Sequence, residues 1–250
     1  MVEGLGNTLL VTFLSLLIGV ALGIVVALIR ASWDKNGEQM RPGPGRFFLR
    51  LANGICKVYL TVIRGTPVVV QLIIVFFVIF VNQSKLTAGV LTFGINSGAY
   101  VAEIIRAGIM SIDPGQNEAG RSLGFGYVST MRFIILPQAF KNVLPALANE
   151  FIVLLKETSV LGFVGYTDLN RASQIIVSRT YYALIPYFAI AIIYLLMVIF
   201  FTYLVGKLEK RLRVSDAHAQ GGEKKIGLRL TAEPMRGPTA VIVEVDDENR

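Results

Sequence analysis

The chain has 250 residues, 54% hydrophobic and only 16% charged, well below the roughly 25% charged residues of an average soluble domain. Residues 4–29, 65–84 and 180–206 contain no Asp, Glu, Lys, Arg or His, and each is long enough to cross about 30 Å of hydrocarbon as a helix. A single cysteine, Cys56, excludes an intramolecular disulfide framework and a cysteine-rich zinc site, while the net charge of +7 reads as membrane-orienting charge rather than a nucleic-acid surface, because no basic stretch is interleaved with aromatic residues for stacking.

In chain order, the stretch from Gly6 to about Arg30 is too long for a signal-peptide core and lacks a basic leading region, so it is predicted to stay as the first membrane helix. A second span runs from about Asn53 to Val81, and Gly65-Thr66-Pro67 should break or kink it, exposing backbone groups that only a cavity or a neighbouring helix can satisfy. A third runs from about Leu86 to Ile109, a fourth from near Val143 to Gly165 and a fifth from near Ala183 to Leu208. Gly19, Gly23, Gly98 and Gly108 are expected to be close-packing positions between helices.

Seven Lys and Arg lie between Arg30 and Arg64, four between Arg106 and Lys141, and nine from Lys207 to Arg250. All fall on one side of a five-span chain, which predicts an outside amino terminus and a cytoplasmic carboxyl terminus. After Arg213 the composition turns polar, with five basic and seven acidic residues. Residues 1–213 are therefore expected to form the membrane domain and 214–250 a mobile tail, with Ala240 to Val245 too short to make a stable sheet alone.

The segment from Ser111 to Pro137 is too polar to be embedded, yet it carries helix punctuation. Asp113 can cap a helix that Pro114 begins, with Gln116, Glu118, Ala119 and Leu123 on it and Gly124 ending it in the left-handed conformation. A second helix is predicted over Tyr127 to Leu136, stopped at Pro137. The small residues Ala119 and Gly120 would let another protein's backbone approach closely.

Glu118-Ala119-Gly120-Arg121-Ser122-Leu123-Gly124, followed by Ile135-Leu136-Pro137-Gln138-Ala139, resembles the cytoplasmic EAA loop of binding-protein-dependent ABC importer permeases. Arg64-Gly65-Thr66-Pro67 through Gln71-Leu72, Asn96-Ser97-Gly98-Ala99-Tyr100 through Ala102-Glu103-Ile104, and Leu155-Lys156-Glu157-Thr158-Ser159 look like the polar amino acid branch of that family. The resemblance covers roughly residues 4–212. It implies an all-α integral membrane fold, the type I ABC importer transmembrane domain of about five helices with short cytoplasmic coupling helices, in a bacterial inner membrane. Gly120 stands where the family usually has alanine.

The resemblance further implies a transmembrane permease subunit that pairs with a second permease, identical or homologous. Two separate cytoplasmic ATPase subunits would dock on Gln116, Glu118, Ala119, Gly120, Leu123 and Gly124, and an external binding protein would deliver glutamine or a similar polar amino acid. The chain has no G-x-x-x-x-G-K-[ST] phosphate loop, so no cofactor is expected on it, and Mg-ATP would belong to the partner.

Ionisable groups inside a span normally face a cavity or a partner. Glu150 and Glu157 are seven apart and nearly superposed on one helical face, with Asn149 and Lys156 repeating that spacing beside them. A zwitterionic amino acid needs an acid for its ammonium and a cation or donor cluster for its carboxylate. This stripe, with Thr158 and Ser159, can supply both, Glu157 or Glu150 taking the ammonium. Structural pairing of Lys156 with Glu103 or a neighbouring carboxylate at the subunit interface is the equal alternative. Tyr100, Glu103 and Arg106 share one side of the third span, Glu103 and Arg106 reading as an internal pair, while Thr66 and Gln71 should face the space opened by the break. Two rival classes are an ion-coupled carrier using Glu103 or Glu157 and a non-transporting sensor or anchor acting through the tail. An intramembrane hydrolase is disfavoured by the absence of H-E-x-x-H and by a single histidine, His218.

Overall fold

A computed structural model describes residues 1–37 and 40–221, and among these there are helices and no strands. They are α1 (Val2–Asn36), α2 (Pro44–Gly65), α3 (Val68–Ile74) prolonged by a π-helical turn Val75–Ile79, α4 (Lys85–Met110), α5 (Pro114–Ser122) and α6 (Tyr127–Thr130). A second π-helical turn, Met131–Ile135, joins α6 to α7 (Leu136–Glu157), which tightens into a 3₁₀ turn over Thr158–Val164 before α8 (Leu169–Thr180) and α9 (Leu184–Gly221). Residues 1–207 form one compact unit, and a second begins at Leu208.

Three helices, Val2–Lys35, Lys85–Met110 and Leu184–Leu212, are long and apolar enough to cross a membrane, and the bent pair Pro44–Gly65 with Val68–Ile79 makes up to four. The remaining predicted span, α7, is not among them, because Lys141, Asn142, Asn149, Glu150, Lys156 and Glu157 dilute its apolar character. It is held instead by packing between α1 and α4. The expected break at Thr66-Pro67 is a bend of 105°. Thr66 takes the extended backbone (φ −121°, ψ 143°) that a following proline favours.

Parallel packing of α1 on α4 forms the centre of the unit, and glycines bring the two helices together. A Cβ added at Gly23 would lie 2.5 Å from Val101 Cγ1, and one at Gly94 would lie 2.8 Å from Ile18 Cγ2. Helix α7 runs back along α4, with Gly108 against Val143 near one end and Gly89 against Leu161 near the other. One apolar cluster joins Val11, Leu72, Val90, Phe93, Leu154 and Leu161, and another, at the α5 end, joins Ala31, Ile109, Ile135 and Ala139. Where the 3₁₀ turn meets α8, Asn7 Nδ2 donates to the Thr167 carbonyl and Leu169 N to Thr8 Oγ1. Asp168 there caps α8 by accepting from Arg171 N and Asn170 N. Burial pushes its carboxyl above the ordinary range despite these bonds.

Three expectations are corrected. Helix α1 continues to Asn36, beyond the predicted end of the first span near Arg30, and α9 runs past Arg213, where the tail was expected to begin, to Gly221. The rest of the tail prediction, including Ala240 to Val245, lies outside the described residues. The helix over Tyr127 to Leu136 does not stop at Pro137. The π-helical turn widens the ladder before it, and Pro137 falls at the start of α7, where a missing N–H costs little.

Candidate functional site

At the α5 end the chain builds a knob by local rules. Asp113 Oδ1 accepts from Gly115 N at 2.7 Å, capping α5 as its sequence predicts. Gly124 ends the helix with φ +83°, and Gly124 N to the Arg121 carbonyl with Phe125 N to the Gly120 carbonyl, both 3.0 Å, complete a Schellman pair. Gln116, Glu118, Ala119, Leu123 and Gly124 are exposed. Leu123 and Val128 are 75% and 74% exposed, beside Phe125 and Tyr127, an apolar tip that water alone would not favour. Gly120 is a correction. It is buried, and a Cβ there would lie 2.7 Å from Thr130 Cγ2 and 3.1 Å from Ile134 Cδ1, so its smallness serves the fit of α5 on the chain that follows and not the approach of a partner.

The polar stripe of α7 is divided by packing. Glu150 is 7% exposed and its Oε1 accepts from Ser97 Oγ of α4 at 2.9 Å. Thr158 is buried, donating to the Leu155 carbonyl at 2.9 Å, and its hydroxyl lies 3.5 Å from that of Thr12 on α1. Glu157 and Ser159 are half-buried, whereas Asn149 and Lys156 are exposed. Glu103 pairs with Arg106 at 3.0 Å, as its spacing predicts. Arg106 also reaches Asp34 at 3.2 Å, tying the end of α1 to α4. No periodicity signals that partner, which lies 72 residues away. Arg30 and Asn53 make a similar tie between α1 and α2 at 2.9 Å.

At the bend, Gln71 has a structural task that its sequence position did not disclose. Pro67 cannot donate to the Ile63 carbonyl, and Gln71 Nε2 does so instead at 2.8 Å, while also meeting the Thr66 carbonyl at 3.1 Å and the Thr66 hydroxyl at 2.8 Å. The Thr66 hydroxyl donates to the Val62 carbonyl, and Gln71 Oε1 accepts from Asn96 Nδ2 of α4 at 3.1 Å. Beside them Arg64 lies 5.6 Å from the centroid of the Tyr100 ring. Sequence reasoning named neither Arg64 nor Ser97 as a site residue, although both stand in the motifs it used.

A membrane-embedded helical bundle with a capped, exposed knob at one end and a buried carboxylate between its helices has the form of a transport subunit driven from outside itself. A family match over residues 42–214 agrees, and the chain belongs to the binding-protein-dependent transport system inner membrane components. It is 38% identical over 218 residues to the arginine transport system permease protein ArtQ of Bacillus subtilis, covering 86% of this chain and 93% of that one. It is 34% identical over 221 residues to the glutamine transport system permease protein GlnP of Escherichia coli, with the same coverage. A crystal structure of an amino acid ABC transporter with histidines superposes with a TM-score of 0.75 at 44% identity, over 84% of this chain and 92% of that chain. The inward-facing MetNI methionine ABC transporter shares the fold at 21% identity and a TM-score of 0.69, over 85% and 95% of the two chains.

Proposed function

We propose that this chain is the permease subunit of an ATP-driven importer of polar amino acids such as glutamine or arginine, working as a dimer with itself or a homologue. The observation that carries the reading is the knob, capped at both ends and exposing Glu118, Leu123 and Val128 at its tip. A lone surface hairpin has no use for such an apolar end. Two cytoplasmic ATPase subunits, holding Mg-ATP, dock there on Gln116, Glu118, Ala119, Leu123 and Gly124. Because the chain after the knob enters α7 without interruption and α7 packs along α4, a pull on the knob is a pull on the helices that hold Glu150 and Ser97. Movement of those helices opens the pathway alternately to the two sides.

The positive-inside distribution of Lys and Arg supports a cytoplasmic knob and carboxyl terminus and an outside amino terminus. A binding protein then delivers cargo at the opposite end, where the 3₁₀ turn meets α8. Glu150 or Glu157 receives the ammonium of the cargo, within reach of Thr158 and Ser159. Tyr100 and Thr66 line the approach. Gln71, Glu103, Asn149 and Lys156 take structural or peripheral roles.

Reconstitution in vesicles tests the reading. The chain with its ATPase, binding protein and ATP should take up radiolabelled glutamine or arginine. Glu118→Lys should leave the complex inserted while cutting transport per ATP hydrolysed at least tenfold. Uptake driven by an ion gradient without any ATPase overturns the assignment.

A further inference from the structure

The geometry points to Arg64 as the group that receives the cargo's carboxylate, an assignment that rests on the amino acid reading above and names the residue which that reading lacks. An amino acid seat needs hydrogen-bond donors or positive charge for the carboxylate, and several neutral side-chain donors near the bend and on the facing helices are already engaged. Both N–H bonds of the Gln71 amide are shared among Ile63 and Thr66 acceptors. The hydroxyl protons of Thr66, Ser97 and Thr158 go to Val62, Glu150 and Leu155, and Asn96 gives one amide N–H to Gln71.

Arg64 is different. It is exposed, and no carboxylate among the described residues lies within ion-pair distance of it. Its guanidinium is held over the Tyr100 ring at 5.6 Å, a contact that orients the planar fork without consuming its N–H donors. Such a fork matches a carboxylate with two parallel bonds, which a lysine ammonium cannot do. Tyr100 follows Ser97 by one turn of α4, roughly 4.5 Å along the helix axis, and Ser97 is the residue that holds Glu150. One turn of α4 thereby carries both the ring that orients a cation and the hydroxyl that holds an acid. Arg106 is no rival for this role, since Glu103 and Asp34 already occupy it. Lys156 offers a point charge from an exposed position on α7 and lacks the aromatic surface that orients Arg64.

The test is equilibrium binding of L-arginine and L-glutamine to the purified, assembled permease and ATPase complex, with the binding protein omitted. Each is compared with its carboxamide, which keeps the ammonium and side chain but removes the negative charge. The unsubstituted complex should prefer the free acid at least tenfold. Arg64→Gln should weaken binding of the acid at least tenfold, leave the carboxamide nearly unchanged and abolish the preference. Arg64→Lys should restore part of it, and the retained binding of the carboxamide, which a misfolded variant would not allow, shows that the substituted complex is folded. A full preference for the free acid in Arg64→Gln, or equal weakening of both ligands, overturns the carboxylate assignment alone. Failure of the unsubstituted complex to bind or transport any amino acid overturns the cargo reading and this assignment with it.

Discussion

Single side chains in this protein act through the partner that reaches them. Glu150 is a carboxylate at 7% exposure, and Ser97 is the neighbour that donates to it. Removing the hydroxyl with Ser97→Ala leaves that acceptor without its bond, at a cost of about 1–3 kcal/mol. The variant should show a lower unfolding temperature in detergent than Ser97→Cys, whose thiol can still donate weakly, and no change in the knob's affinity for the ATPase. Glycines follow the same logic of neighbours. Gly23→Leu drives a side chain into Val101, whereas Gly6 has nothing within 4 Å of an added Cβ. We expect Gly23→Leu to abolish recovery of folded protein from membranes and Gly6→Leu to leave it intact, measured by size-exclusion profiles. The residues of the i, i+3 pair Glu103 and Arg106 could be matched in the sequence because helix geometry alone brings them together. Asp34, Ser97 and Arg64 could not, since each meets its partner only when two helices pack.

At the level of elements, the chain shows two ways of placing proline in a membrane bundle. Pro67 breaks α2 from α3, and the carbonyl it strands is taken up by Gln71 from the following turn. Pro137 begins a helix after a π-helical turn, and Pro145 lies inside α7 without ending it. Sequence reasoning anticipated the first and misread the second, because both the turn and the surroundings of α7 come from packing on α4. The knob, by contrast, was legible almost completely: Asp113, Pro114 and Gly124 set its bounds through local hydrogen bonds and backbone preference. Gly124 at φ +83° is a position where a side chain costs about 1–2 kcal/mol. Gly124→Val should therefore loosen the corner and reduce ATP-driven uptake at least fivefold, with hydrolysis by the detached ATPase unchanged. Asp113→Ala, which removes the cap at a cost of about 0.5–2 kcal/mol, should fall between that variant and the native chain in the same assay.

On the scale of the whole molecule, the parallel pair α1 and α4 forms the centre and α7 packs back along α4. Helix α7 carries Glu150 between α1 and α4 while its own amino-terminal end leads directly from the knob. Helix α9 presents Leu195, Leu196, Ile199 and Phe200 outward and touches α7 through the edge-to-face pair Phe151 and Phe201, centroids 4.8 Å apart. The family match ends at residue 214, and a chain truncated after Gly221 should retain ATP-driven uptake within twofold of the full chain in vesicles. Loss of transport on that truncation would transfer the coupling role from the knob to the tail.

Apolar runs, basic-residue asymmetry, proline and glycine punctuation and the capped knob were determined by the sequence alone, because each depends on interactions within a few residues or with the surrounding solvent. Tertiary structure decided which half of the α7 stripe turned inward, which carboxylate stayed buried, where Gln71 spent its donors and which face of Gly120 was occupied. Those outcomes depend on contacts between segments far apart in the chain, such as Ser97 with Glu150 and Arg64 with Tyr100. Helical periodicity restricts a side chain to one face of its helix; the neighbour packed against that face determines whether it meets lipid, another helix or the transport pathway.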